Sequence, residues 1–228
     1  AKSLIDQLND KHVVPILSGG TGLYVQSLLE NYNFNDIKPN TKLRIELDEL
    51  YTEYGVDGLR EYAQNLAEKG GIEIKYTDKH RLYRAIELMT AGDYKSLIKQ
   101  TKEGLSYKGP VIGLQRERSD LYDRINRRVE IMFEKGLVNE VKQLLKSGVN
   151  PNCQAFKGIG YKEVVQYLEG LISYDACVDL IQKNTRHFAK RQITWYKRMP
   201  YIEWITIDSQ TTEAEIYGMA CNIIDSSF

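Results

Sequence analysis

Only three cysteines and three histidines occur in the 228 residues, and neither type is placed to hold a metal. Cys153, Cys177 and Cys221 stand far apart without a C-x-x-C pair, and the histidines lack ligand spacing. This excludes a zinc site and leads us to expect a reducing, cytoplasmic compartment. No apolar run is long enough to span a bilayer and no signal-peptide pattern opens the chain, so we expect a soluble product with no membrane partner. Net charge is missing as well: Lys plus Arg and Asp plus Glu both number 31. Any nucleic-acid surface must therefore come from local clusters of charge. What is present is apolar content, 42%, enough to bury a core and to exclude a disordered tail. There is no internal repeat and no low-complexity segment.

Leu4, Ile5 and Leu8 repeat at helical spacing near the start. The run "VVPIL", Val13 to Leu17, reads as a buried strand, "SGGTG" as a turn, and Gly22 to Glu30 as a helix, which together make half of an α/β unit. From Asn33 to about Pro39 the composition turns polar, and a boundary falls there. Beyond it the pattern is all helical. Leu43, Leu47 and Leu50 mark one helix, a second begins near Asp57, and Thr77 or Asp78 caps a third that runs to Met89 before Ala91-Gly92. After the Lys- and Gly-rich "KQTKEGLSYKGP", Pro110 to Leu114 reads as another strand of the first sheet. Ser119 or Asp120 then caps a long helix carrying Leu121, Ile125, Val129 and Met132, which Gly136 interrupts. "GIGYKEVVQYLEG" predicts a short helix, Tyr174 to Arg198 the longest one, and "YIEWITI" a last strand before a terminal helix. The predicted segments are 1–35, part of an α/β core; 36–108, a helical insertion; and 109–228, a return to the core with long helices.

A glycine turn that opens a helix is a ready anion cradle. Here, however, Gly22 is followed by Leu23 and Tyr24, with no lysine of a nucleotide P-loop and no third glycine of a dinucleotide fingerprint. Taken alone, Ser18 to Gly22 reads more readily as a tight strand-to-helix turn than as a ligand site.

The strongest electrostatic signal lies between Lys183 and Arg198. At about 100° per residue, Lys183, Arg186, His187, Lys190 and Lys197 share one face, with Ile181, Thr185, Phe188, Gln192 and Trp195 opposite, on a face predicted to pack. A solvated helix face is the ordinary reading of such a stripe. Against it, no Asp or Glu occurs from Gln182 to Pro200, so these cations suit a phosphate backbone. Arg124 and Arg128 stand one turn apart, with Glu117, Asp120, Asp123 and Glu130 near enough to neutralise them. Arg81 and Arg84 share a face with the same ambiguity. In "KGIGYK" two glycines would let a backbone approach RNA and Tyr161 would stack on a base, or the segment is simply a helix start.

Taken together, "ILSGGTGLYVQSLLE", "DKHRLYRAIELMTAG", "LYDRINRRVEIMFEKGLVNEVKQLL", "GIGYKEVVQYLEG" and "RHFAKRQITWYKRMPYIEWI" resemble, in order and approximate spacing, the tRNA dimethylallyltransferases of bacterial type, also called isopentenylpyrophosphate transferases. The resemblance covers nearly the whole chain. It implies an α/β fold, a P-loop NTPase-like parallel sheet core, incomplete here, with an all-α insertion domain and a helical C-terminal region. It further implies an enzyme that transfers a dimethylallyl group from dimethylallyl diphosphate to the exocyclic amine of the adenosine 3′-adjacent to the tRNA anticodon, the base being flipped into a channel. Mg²⁺ and cationic side chains would stabilise the departing diphosphate.

Carried onto this sequence, the resemblance places Thr21 and Gly22 in the channel lining and Arg128 at the reaction centre, beside the diphosphate, with Arg124 near it. It gives tRNA contact to His80, Arg81, Leu82, Tyr83 and Arg84; to Lys157, Gly158, Ile159, Gly160, Tyr161 and Lys162; and to Lys190, Arg191, Gln192, Lys197 and Arg198. Trp195 is expected in the core. The family's G-P-T-A-S-G-K-T phosphate loop and its D-S-x-Q segment, with the expected general base, belong upstream of "GGTGLY" and are absent from this sequence. The expectation is a monomeric but catalytically incomplete chain, lacking the base and the main anchor for Mg²⁺. Two alternatives stand beside this: a prenyltransferase of free adenine nucleotides, which AMP competition would reveal, and a non-catalytic RNA-binding module.

Overall fold

Apolar residues at helical spacing generate most of the structure, which is mainly helical with one small parallel sheet. The computed structural model describes residues 1–32, 37–98 and 105–227. Residues 33–36 of the polar stretch read as a boundary, and residues 99–104 of the Lys- and Gly-rich stretch, lie outside the described residues. The chain divides into two units. Ala1–Pro15 goes with Gln26–Ser106, and Ile16–Val25 goes with Tyr107–Phe228.

The first unit contains α1 (Lys2–Asp10), the second half of α2 (Gly22–Leu29), α3 (Thr41–Lys69) and α4 (Lys79–Thr90). Between α1 and α2 the predicted strand Val13–Leu17 does not form: the segment has no regular structure, and Val14 and Ile16 are 80% and 89% exposed. A strand exists only when a neighbour satisfies its backbone N–H and C=O groups. No described segment pairs with this one, and Pro15 removes a donor from its middle.

Asn40 begins α3 by accepting a hydrogen bond from the Leu43 N–H, and Asp78 begins α4 by accepting from the Arg81 N–H at 3.0 Å. At Gly55 the backbone leaves the helical region (φ 66°, ψ −156°), so α3 is two helical segments that meet just before Asp57. Leu43, Leu47, Leu59, Ala63 and Ala67 on α3 pack with Leu82, Tyr83, Ile86 and Met89 on α4. Glu87 is buried beside this core and collects four hydrogen bonds. Arg44 donates twice, from Nε at 2.7 Å and Nη2 at 3.1 Å, the Asn40 N–H donates at 3.0 Å, and Arg84 Nη1 donates at 3.3 Å. Burial by itself would raise this carboxyl, but the bonds from Arg44, Asn40 and Arg84 outweigh it and hold Glu87 below its ordinary range.

A lowered carboxyl contributes stability above its unfolded pKa and loses it as the pH falls through the folded value. Glu87→Gln is therefore expected to destabilise the protein by about 1–3 kcal/mol at neutral pH, and the gap from wild type should close in acid. Urea melts at pH 7 and pH 3 check this; an equal gap at both would mean that ionisation of Glu87 contributes nothing.

The second unit holds the sheet, β1 (Val111–Arg116) paired in parallel with β2 (Ile202–Ile207) in the register Val111↔Ile202 to Arg116↔Ile207. Between the strands run α5 (Arg118–Glu134), α6 (Leu137–Lys146), α7 (Tyr161–Leu168) and α8 (Tyr174–Tyr196), and α9 (Glu213–Ser227) follows. The predicted cap of α5 shifts: Glu117 precedes the helix without a side-chain cap, and Asp120 lies in the first turn, bonded to Arg116 at 2.7 Å. A backward ion pair to the strand end employs the carboxylate that would otherwise cap. Val129, Phe133, Leu137, Val141, Phe156, Val164, Cys177 and Ile181 form this unit's core. Ser173 caps α8, the longest unbroken helix among the described residues. No helix among the described residues is long and apolar enough to cross a membrane.

Candidate functional site

Two sequence features 172 positions apart meet in the second unit. The Ser18–Gly22 turn lies on the C-terminal half of α8, where Gln192 Nε2 donates to the Gly20 carbonyl at 2.8 Å. Below the turn, the edge of the Trp195 indole fills the space a side chain at Gly22 would need: a Cβ there would stand 2.3 Å from Trp195 Cδ1. A Cβ at Gly20 would stand 2.5 Å from Gln192 Nε2. Gly22 is thus required by close approach to α8, whereas at Gly20 only the end of the flexible Gln192 side chain would have to shift. Thr21 and Tyr24 remain exposed beside the contact.

Along α8, Lys183, His187, Lys190 and Arg191 are exposed, as are Lys197 and Arg198 just past its end. Arg186 is not a free cation, since its guanidinium donates to Asn126 Oδ1 on α5 at 2.5 Å. Phe188 corrects the expected packing face: it is 42% exposed, with the Arg191 guanidinium 5.7 Å from its ring. Trp195 is half-buried, and neither its Nε1 nor the buried Tyr196 hydroxyl has a hydrogen-bond partner among the described residues.

Arg124 and Arg128 project from α5 into solvent beside the buried Ile125 and Val129, and neither has an ion-pair partner among the described residues. The acidic residues around them do not neutralise them.

In Lys157–Lys162 the structure favours the helix-start reading. Gly160 (φ 102°) precedes α7, and its N–H donates to Glu163 Oε2 at 2.8 Å. The other oxygen of this buried carboxylate accepts from Asn184 Nδ2 at 2.8 Å, which ties the loop to α8. Tyr161 is half-buried, with its ring against Phe156 and its hydroxyl bonded to Glu140, which suits the helix-start reading. Lys157, Ile159 and Lys162 stay exposed. Nearby, burial and then the charge of Glu163 push the Cys177 thiol up to about 11, so this cysteine is an inert core residue.

In the first unit His80 and Arg81 are exposed, whereas Leu82 and Tyr83 are 0% and 5% exposed. The side chains of Leu82 and Tyr83 therefore leave the expected contact set, because the helical period turns both into the core. Arg84 is committed to Glu87 and to the Ile37 carbonyl, at 2.8 Å. Among the described residues no group of three or more His, Cys, Asp or Glu side chains could hold a metal. The described residues therefore offer no such cluster to Mg²⁺.

A family model described as IPP transferase matches residues 1–199. The chain belongs to the IPP transferase family. It is 38% identical over 212 residues to a tRNA dimethylallyltransferase of Clostridioides difficile, covering 91% of this chain and 67% of that protein. It is 36% identical over 228 residues to the tRNA dimethylallyltransferase of Alkaliphilus metalliredigens, covering 98% and 72%. Among solved structures it resembles the full-length tRNA isopentenylpyrophosphate transferase of Bacillus halodurans, with a TM-score of 0.62, 32% identity, and coverage of 99% of this chain and 71% of that one. IPP transferases are group-transfer enzymes, so the expected class, a transferase, holds. The expectation of a catalytically incomplete chain draws no support from these alignments.

The Glu163 bonds to Gly160 and Asn184 and the Gln192 bond to Gly20 lie outside the expected contacts. Glu163 was findable, since an acidic residue three positions after a helix-start glycine is half of a capping box. The Gln192 contact had no local signal.

Proposed function

We propose that this IPP transferase prenylates tRNA, moving a dimethylallyl group from dimethylallyl diphosphate to the exocyclic amine of the adenosine 3′-adjacent to the anticodon. The docking of the Ser18–Gly22 turn on the carboxylate-free stretch of α8 carries this reading. It sets exposed Thr21 beside a run of cations suited to an RNA backbone. In the reaction the amine nitrogen bonds to the allylic carbon, the carbon–oxygen bond to diphosphate breaks, and the nitrogen gives up a proton. We assign Arg128 and Arg124 to the leaving diphosphate, because exposed guanidiniums without an ion-pair partner among the described residues offer bidentate bonds to phosphate oxygens. The proposed contact set keeps the expected residues whose side chains or backbone remain accessible: Thr21, Gly22, His80, Arg81, Lys157, Gly158, Ile159, Lys162, Lys190, Arg191, Gln192, Lys197 and Arg198. We also assign the sheet-bearing unit to a P-loop-like core, on the support of its parallel β1–β2 pair joined through helices.

Binding of the chain to an anticodon stem-loop across a salt series tests the reading. Affinity should fall steeply with salt, and Lys190→Ala should reduce the slope by about 0.7–0.9. Replacing the target adenosine by guanosine should weaken binding. A folded protein that binds neither RNA would overturn the reading, and competition by AMP would favour a free nucleotide as substrate.

A further inference from the structure

We infer that Phe188 is a stacking platform for one unstacked nucleobase of the RNA loop held at the Ser18–Gly22 turn. This rests on the RNA-reading role proposed above. Phe188, Gln192 and Trp195 are spaced i, i+4 and i+7, so they line one stripe of α8. The last two members dock the glycine turn, through the Gln192 bond to Gly20 and the Trp195 contact with Gly22. Phe188 is the next member, about 6 Å further along the axis at 1.5 Å per residue. It alone of the three is exposed, at 42%.

A single exposed apolar side chain is ordinary on a protein surface. This one has a particular setting. Its helical neighbours His187, Lys190 and Arg191 are exposed, and no carboxylate occurs between Gln182 and Pro200. The Arg191 guanidinium lies over the ring, 5.7 Å from its centroid, and adds a positive charge at the platform. A cationic rim around a partly exposed aromatic ring fits a base whose phosphates run along the helix, because the ring offers a π-face and the cations take the backbone. An apolar peptide would gain nothing from that rim. Phenylalanine has no hydrogen-bonding atom, so the platform accepts the face of any base and leaves its edges to other groups.

The test is a cycle between Phe188→Leu and anticodon stem-loops that each lack one loop base, with Phe188→Tyr as the ring-retaining control. With intact RNA, Phe188→Leu should bind about tenfold more weakly at an unchanged salt slope, and Phe188→Tyr should bind like wild type. At one loop position, removing the base should weaken wild type by a similar factor and Phe188→Leu not at all. If wild type binds RNA but the two losses add at every position, the stacking inference is overturned and the RNA-reading role stands. A lower salt slope in Phe188→Leu, or equal loss in Phe188→Tyr, also overturns it. If folded wild type binds no RNA, both readings fail.

Discussion

Gly22→Val is expected to lift the Ser18–Gly22 turn off α8 and to weaken binding of an anticodon stem-loop by tenfold or more, on the order of the 1–3 kcal/mol that overpacking costs. The new Cβ would sit 2.3 Å from Cδ1, 2.7 Å from Cγ and 2.8 Å from Nε1 of Trp195. These are ring atoms of a rigid indole whose Nε1 is already enclosed, so no small torsion relieves the clash. Either the indole swings out and exposes apolar surface, or the turn moves and the Gln192 bond to Gly20 is lost. Gly20→Ala is the informative contrast. Its Cβ would meet the far end of the flexible Gln192 side chain at 2.5 Å, which can withdraw at the cost of one hydrogen bond. Binding titrations and thermal melts of both variants should show a graded effect, large for Gly22→Val and modest for Gly20→Ala. Wild-type affinity in Gly22→Val would show that the docked turn is not part of the RNA site.

Glu163→Leu is expected to cost about 2–4 kcal/mol of stability, because one buried and one half-buried donor lose their acceptor together. The Gly160 N–H and the Asn184 amide both end on this buried carboxylate, and the leucine offers neither a bond. Glu163→Gln keeps one carbonyl oxygen and should lose about half as much. Urea melts give the ordering. The same substitution frees the loop between Phe156 and α7, so RNA affinity should drop in Glu163→Leu beyond what the remaining folded fraction explains. Equal stability of Glu163→Leu and wild type would mean that water replaces the carboxylate at both donors.

Most helices were legible in the sequence because their signals are local. Asp78 satisfies a backbone N–H three residues on, as its place before the apolar pattern predicts, and Gly55 breaks α3 just before the expected second helix. The family was legible too, since motif order survives in one dimension. Burial within the motifs was less so. "HRLYR" reads as one contact segment, yet the helical period sends Leu82 and Tyr83 inward and leaves His80 and Arg81 outside.

By itself, then, the sequence determined the elements whose stabilising partners lie within a few residues, and the chemistry they carry: helices, caps, the glycine turn and the cationic run of α8. Only the tertiary structure decided which of those features meet. Val13–Leu17 has the β-branched content of a strand but no described neighbour to complete its hydrogen bonds, so it forms none. Phe188 and Trp195 share one helix stripe, yet the glycine turn covers only Trp195. The physical reason is the same in both cases. Sheet pairing and burial are properties of a contact between distant segments, and no property of one segment specifies its partner.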